Sequence, residues 1–196
     1  LETDTVHWDK MQNFDYWLWE NVLPKWFCEQ QIAAIDWNQK SNGEVNDKGN
    51  FVVDKETRIT DIVWLETTSP IGCIAQIYLN MANDQAGWNF NVTNLESKIQ
   101  IGKYSSQDNG FYDWHADDGY RVNKDGLVRK LSISILLSDE NNFEGGAFEF
   151  KNFKTQPVLK QGSIIVFPSF LEHRVAPVTS GDRYSAVTWV SGPAYR

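Results

Sequence analysis

From Lys98 to Val190 this chain carries short apolar runs separated by turn residues, and in several of them the apolar residues recur at every second position. Ile99 and Ile101 alternate with Lys98 and Gln100, and Leu131, Ile133, Ile135 and Leu137 alternate with serines. Phe148 and Phe150 flank Glu149 after the Gly145-Gly146 turn, and Ile164 to Phe167, Arg174 to Val178 and Tyr184 to Val190 complete the series. Period two is the signature of strands that bury one face. Many short strands with turn residues between them predict a sandwich or jelly roll.

The N-terminal half reads differently. Phe14 to Lys40 is expected to be largely helical in two pieces broken at Pro24, with Pro24 in the first turn of the second piece. Phe27, Ile32, Ala34 and Ile35 supply its apolar face. Ser41 to Lys55, with Asn42-Gly43 and Lys48-Gly49 as turn signals, predicts a mobile loop or a loose hairpin. Arg58 to Leu65 predicts a strand. Ile71 to Ala86 predicts a helix through Ile74, Ile77, Tyr78, Met81 and Ala82, stopped by Gly87. The expected fold is mainly β with N-terminal helices: residues 1–90 as a largely helical flank with the first strands, and 91–196 as a double-stranded β-helix (jelly-roll, cupin-like) core. A length of 196 residues suits one domain over 1–196.

Composition narrows the function classes. A formal charge of −8 argues against a nucleic-acid backbone as the partner. Two cysteines, Cys28 and Cys73, are too few for a disulfide framework. A reducing, cytoplasm-like compartment is therefore expected. No run approaches the roughly 18 apolar residues of a membrane helix, and Leu1 onward lacks the layout of a signal peptide. Asn91-Val-Thr93 fits a glycosylation sequon and is read as chance. With nine Trp, large aromatic side chains are expected to fill a β-rich core or line a cleft.

Two of the three histidines then fall into one pattern, His115-Ala-Asp117 with His173 far downstream. Positions i and i+2 of a strand point the same way, so His115 and Asp117 can hold one ion while a distant strand brings His173. Two imidazoles and one carboxylate with open positions form the ligand set of non-haem Fe(II) sites. His7 has no place in this pattern and is expected at the surface.

The runs Lys98 to Tyr104, Tyr112-Asp-Trp-His-Ala-Asp117, Arg129 to Ser138, Glu144-Gly-Gly-Ala-Phe148 and His173 to Trp189 together resemble the 2-oxoglutarate and Fe(II)-dependent dioxygenases. Within them the chain is most similar to the prolyl 4-hydroxylase branch. The resemblance covers about half the chain in detail. It implies His115, Asp117 and His173 as catalytic iron ligands, with Fe(II), 2-oxoglutarate and O2 as cofactor and cosubstrates and ascorbate as reductant. It implies Arg183, with Ser185 two residues on, as the site for the distal carboxylate of 2-oxoglutarate, and Tyr104 as a further cosubstrate contact. Tyr112, Trp114, Trp189 and Arg58 take the places of substrate-binding residues.

One departure stands out. Relatives that place a second cosubstrate tyrosine on the strand after His-X-Asp have no counterpart here, because Leu131 to Leu137 offers only serine and aliphatic residues. Either Ser185 or a water substitutes, or 2-oxoglutarate is held more loosely. The implied reaction hydroxylates an unactivated C–H bond, first of all in a prolyl residue of a peptide or protein, with release of succinate and CO2. Alternatives are the same chemistry on a free amino acid, another residue or a small metabolite, and a non-catalytic metal-binding jelly roll. Oligomeric state is not encoded. The loops 41–55 and 118–126 are candidates for lids.

Overall fold

The alternating runs become strands of two antiparallel sheets. The computed structural model describes residues 15–47, 50–93, 95–96, 98–118, 122 and 125–194. His7, and residues 48–49, 119–121 and 123–124 of the two expected loops, lie outside the described residues. In chain order the elements are β1 (Trp17–Trp19), α1 (Lys25–Ala33), β2 (Ser41–Asn42), β3 (Val45–Asp47), β4 (Asn50–Val52), β5 (Arg58–Ile59), β6 (Asp61–Glu66) and α2 (Pro70–Gln85). They continue as β7 (Lys98–Ser105), β8 (Phe111–His115), β9 (Leu127–Leu136), β10 (Phe143–Gly145), β11 (Phe148–Phe150), β12 (Ile164–Pro168), β13 (His173–Val175) and β14 (Val178–Pro193).

The larger sheet has the order β1-β12-β9-β14-β7-β6-β2, with β10 also on β14, and the smaller has the order β11-β13-β8-β5. This is the mainly β, double-stranded β-helix architecture expected, with two α-helices among the described residues. Alternation along β9 explains the layering. Leu131, Ile133 and Ile135 point to the side where α1 and α2 pack, in a cluster with Ile71, Ala75, Leu79, Ile99, Ile101 and Val190. Ser132 and Ser134 point the other way, and Ser134 faces the cavity. The inner face is built from Tyr104, Phe148, Phe150, Ile165, Phe167, Val175 and Val178. Each large aliphatic buried this way contributes on the order of 1.5–3 kcal/mol, which pins the register and with it the direction of every inward side chain.

Four expectations need correction. The segment before Pro24 is not helical: Trp17, Leu18 and Trp19 pair with Val166, Ile165 and Ile164 on the edge of the larger sheet. Here, too, alternation decides, since Trp17 and Trp19 join the outer cluster while Tyr16 and Leu18 join the inner one. Pro24 is the residue just before α1, and its carbonyl accepts from Phe27 and Cys28. Along α2 the buried positions are Ile71, Gly72, Ala75, Leu79 and Ala82, whereas Ile77 is 56% and Met81 36% exposed. The apolar stripe is thus rotated toward the small residues, which let the helix approach the sheet.

The strand expected over Arg58 to Leu65 is two strands, because the chain changes sheets at Thr60. Arg58 and Ile59 pair with Tyr112 and Phe111 of the smaller sheet, while Asp61 to Glu66 pair with β7 of the larger. Within the 41–55 stretch, β2 pairs with β6 and β3 pairs with β4, a hairpin as one of the two readings expected. Among the described residues no helix is long and apolar enough to cross a membrane.

Candidate metal centre

His173 lies directly opposite His115 in the pairing of β13 with β8. That register brings together two imidazoles that are 58 positions apart in sequence, and their ring centroids are 4.2 Å apart. Asp117 is not on the strand with His115, as strand spacing alone would place it. β8 ends at His115, and Asp117 sits in the bend that follows, where its N–H donates to the Ser169 carbonyl at 2.9 Å. Its Oδ1 is 3.7 Å from His115 Nε2 and its Oδ2 is 3.6 Å from His173 Nε2. The three ligand atoms all lie within 4.8 Å of one another.

Hydrogen bonding sets the tautomers. His115 Nδ1 is 2.7 Å from the Asp113 carbonyl and His173 Nδ1 is 2.9 Å from the Leu171 carbonyl. A carbonyl only accepts, so each Nδ1 carries the proton and each Nε2 turns a free lone pair toward Asp117. Backbone orientation of the far ring nitrogen is the usual support for a metal-binding histidine. Burial pushes the His115 pKa down to about 3, helped by the neighbouring His173 and opposed by Asp117. Burial would raise the Asp117 carboxyl, but His173, His115, Arg129 and the Ser132 hydroxyl outweigh it and hold it at about 2. Neutral imidazole and ionised carboxylate are the protonation states that a divalent metal requires. The donor set therefore fits an Fe(II)-type ion.

Around this cluster a cavity of about 980 Å³ is lined by Tyr104, Tyr112, Trp189, Arg58, Ser185 and Ser134 among others. Arg183 is 1% exposed; its Nη1 donates to Ser185 Oγ at 3.1 Å, and its Cζ lies 5.5 Å from the Tyr104 ring centroid. Arg183 and Tyr104 are paired across β14 and β7, which is why they share a face. Burial lowers the pKa of Arg183. Among the described residues no carboxylate pairs with it, so a buried cation stands ready for an anion.

A bulge in β8 sorts the remaining aromatics. His173 pairs with His115 and Val175 with Tyr112, so two residues of β8, Asp113 and Trp114, oppose one of β13, Arg174. The extra residue puts Tyr112 on the face of His115, with ring centroids 3.5 Å apart and planes at 12°. Burial pushes the Tyr112 phenol up to about 12, so it stays neutral. Trp114 is not among the lining residues; it stacks instead with Arg174, whose Cζ lies 4.6 Å from its ring centroid. The structure thus brings Tyr104, Tyr112, Trp189, Arg58 and Ser185 to the cavity and leaves Trp114 outside it. Ser41, Asn42 and Glu44 of one expected lid, and Asp118, Val122 and Asp125 of the other, also line it.

Two supports were absent from the sequence reading. Ser132 Oγ donates to Asp117 Oδ2 at 2.7 Å and lies 2.9 Å from Ser169 Oγ, both serines being fully buried. Arg129 grips Glu96 through Nε and Nη2 at 2.6 and 2.8 Å, and its Cζ lies 3.8 Å from the Trp189 ring centroid. The signal for Ser132 was present, since a serine on the inward face of a buried strand needs a partner. That its partner would be Asp117, fifteen positions earlier, carried no mark in the sequence.

Residues 99–191 match the 2OG-Fe(II) oxygenase superfamily. A PKHD-type hydroxylase of Shewanella oneidensis is 39% identical over 82 residues, 40% of this chain and 37% of its own length. Another from Teredinibacter turnerae is 36% identical over 101 residues, 49% of this chain and 45% of its own. The matched stretch thus spans less than half of each relative. Among solved structures, a Pseudomonas putida prolyl-4-hydroxylase aligns with a TM-score of 0.66 at 18% identity, covering 92% of this chain and 94% of its own. A Trichoplax adhaerens prolyl hydroxylase in complex with a hypoxia inducible factor oxygen degradation domain peptide fragment aligns at 0.64 with 20% identity, over 90% and 83%. At these identities the structural likeness establishes the fold.

Proposed function

As residues 99–191 match the 2OG-Fe(II) oxygenase superfamily, we propose that this chain is a hydroxylase of that superfamily that binds Fe(II) on His115, Asp117 and His173 and acts on a prolyl residue of a peptide. The observation that carries this reading is the pairing of that cluster with Arg183, a buried cation bonded to the cavity-lining Ser185 and without a carboxylate partner among the described residues. When bound, Fe(II) with 2-oxoglutarate and O2 supplies the oxidising power to replace C–H by C–OH, with succinate and CO2 as co-products.

The chain's residues do the rest. His115 and His173 offer Nε2 lone pairs, and Asp117 offers a carboxylate whose second oxygen is held by Ser132. Arg183 and Ser185 take the distal carboxylate of 2-oxoglutarate, with Tyr104 beside them; a planar guanidinium suits a carboxylate. Ser134, also on the cavity wall, stands on the strand where some relatives carry a second tyrosine. Phe148, Phe167, Val175 and Val187 form apolar walls that keep water from the reacting atoms. Tyr112 and Trp189 offer flat surfaces for a pyrrolidine ring. The peptide assignment is supported by the structural neighbours, which are prolyl hydroxylases.

The test is succinate formation from 2-oxoglutarate with Fe(II), ascorbate and proline-containing peptides, with product mass followed for the gain of one oxygen. Wild type should turn over, His115→Ala should be inactive, and Arg183→Ala should need far more 2-oxoglutarate. A wild-type protein that neither binds nor consumes 2-oxoglutarate overturns the reading. Consumption without oxygen gain on any prolyl peptide overturns the substrate alone.

A further inference from the structure

We infer that Arg58 is the anchor for a carboxylate on the substrate, carried by an acidic side chain within about two residues of the hydroxylated position. This deepens the reading of the cavity as a substrate site and rests on it. Arg58 lines the cavity and is only 5% exposed, yet its Nε and Nη2 have no hydrogen-bond partner. Those two nitrogens form one edge of the planar guanidinium, the fork that receives a carboxylate side-on. Arg129 uses the same edge in the same protein, donating from Nε and Nη2 to the two oxygens of Glu96 at 2.6 and 2.8 Å. At Arg58 that edge is buried and has no partner.

The partners Arg58 does have are neutral. Its Nη1 donates to the Glu44 carbonyl at 3.2 Å, and its Cζ lies over the Tyr112 ring, 4.3 Å from the centroid. Gly43 packs against it: a Cβ at that position would lie 2.6 Å from Nε, so the absence of a side chain there leaves room for the guanidinium. Among the described residues no carboxylate forms an ion pair with Arg58. A buried cation with two unmet donors is costly. A neutral carbonyl from the substrate would satisfy a donor but not the charge, whereas a carboxylate satisfies both. The local charge therefore selects an acidic group, although the chain as a whole carries −8.

Position limits where that group sits. Arg58, Tyr112 and His115 form a stack, with 4.3 Å from the guanidinium to the phenol ring and 3.5 Å from there to the imidazole, at most about 8 Å in all. An extended peptide advances roughly 3.3–3.6 Å per residue. A carboxylate on Arg58 thus belongs to a residue about two places from the one at the metal centre.

The experiment uses four capped peptides, acetyl-Glu-Gly-Pro-Gly-amide, acetyl-Gly-Pro-Gly-Glu-amide and the same two with Gln for Glu, titrated into the full 15N-labelled chain. The expected result is binding of at least one Glu peptide about tenfold more tightly than its Gln twin, with a shift of the Arg58 Nε–H resonance. Arg58→Gln should bring that ratio to about one, and Gly43→Ala, which crowds the guanidinium without removing it, should lower it. Equal affinity of the twins, binding by none of the four, or a Glu preference that survives Arg58→Gln overturns the inference. If Arg58→Gln does not fold, Gly43→Ala and the wild-type resonance decide. These readouts need no turnover, so failure to hydroxylate the same peptides counts against the prolyl reading and not against the acidic anchor.

Discussion

Replacing Ser132 by alanine removes one hydrogen atom's worth of orientation from the metal centre and little else. Ser132 Oγ donates to Asp117 Oδ2 at 2.7 Å, a hydroxyl on an ionised carboxylate. Such charge-assisted bonds contribute about 1.5–3 kcal/mol. Asp117 has its other supports in the backbone, through the Ser169 carbonyl and the Arg129 contact to its own carbonyl at 3.5 Å. Ser132→Ala therefore leaves the loop in place and frees the carboxylate to rotate. At 1.4 kcal/mol per factor of ten, metal affinity should fall about 10- to 100-fold. The assay is anaerobic Fe(II) titration by calorimetry, with thermal unfolding of the metal-free protein run alongside. Ser169→Ala, which touches Asp117 only through Ser132 on the side-chain side, should lose less. Unchanged Fe(II) affinity in Ser132→Ala would refute the idea that this bond orients the ligand. A large stability loss with unchanged affinity would assign Ser132 to packing.

Two further outcomes follow from the geometry. His115 has a folded pKa of about 3, below the roughly 6.5 of an unfolded histidine, so between those values the unfolded chain binds the extra proton. Metal-free stability should thus be full above about pH 6.5 and fall as pH drops toward 3, by at most about 1.4 kcal/mol per pH unit. Asp117, held at about 2, adds a loss in the same direction below its ordinary carboxylate range. Urea midpoints from pH 7 to 4 check this, and His115→Gln should flatten the slope; parallel slopes would contradict it. Gly181 has φ +69°, and a Cβ there would lie within 2.1 Å of the Asn142 carbonyl oxygen. Gly181→Ala should therefore detach β10 from β14, lowering stability by roughly 1–3 kcal/mol and weakening 2-oxoglutarate binding at Arg183, two residues on. A variant with the wild-type melting temperature and 2-oxoglutarate affinity would show that this turn does not hold the cosubstrate strand.

Legibility in the sequence followed the range of the interaction. Alternation over a few residues is a local property, so the strands from Ile99 to Val190 and the inward serines of β9 could be read directly. The same rule, applied to Trp17, Leu18 and Trp19, would have found β1, but Trp and Leu at this spacing also suit a helix and only pairing with β12 decides. On α2, apolar spacing picked out Ile77 and Met81, whereas the sheet beneath accepts the face with Gly72, Ala75 and Ala82 because small residues allow close approach.

The residue types and order of His115, Asp117, His173, Arg183 and Ser185 were determined by the sequence, because metal ligation and carboxylate binding restrict which side chains can serve. Tertiary structure alone decided how they meet. The β8–β13 register sets His115 against His173, and one bulge moves Tyr112 onto the imidazole. Ser132 reaches Asp117, Arg129 is closed on Glu96 and Arg58 is left without a partner on the same edge. Each of these depends on pairing between segments far apart in the chain, and a single slip in register would turn every one of those side chains to the opposite face.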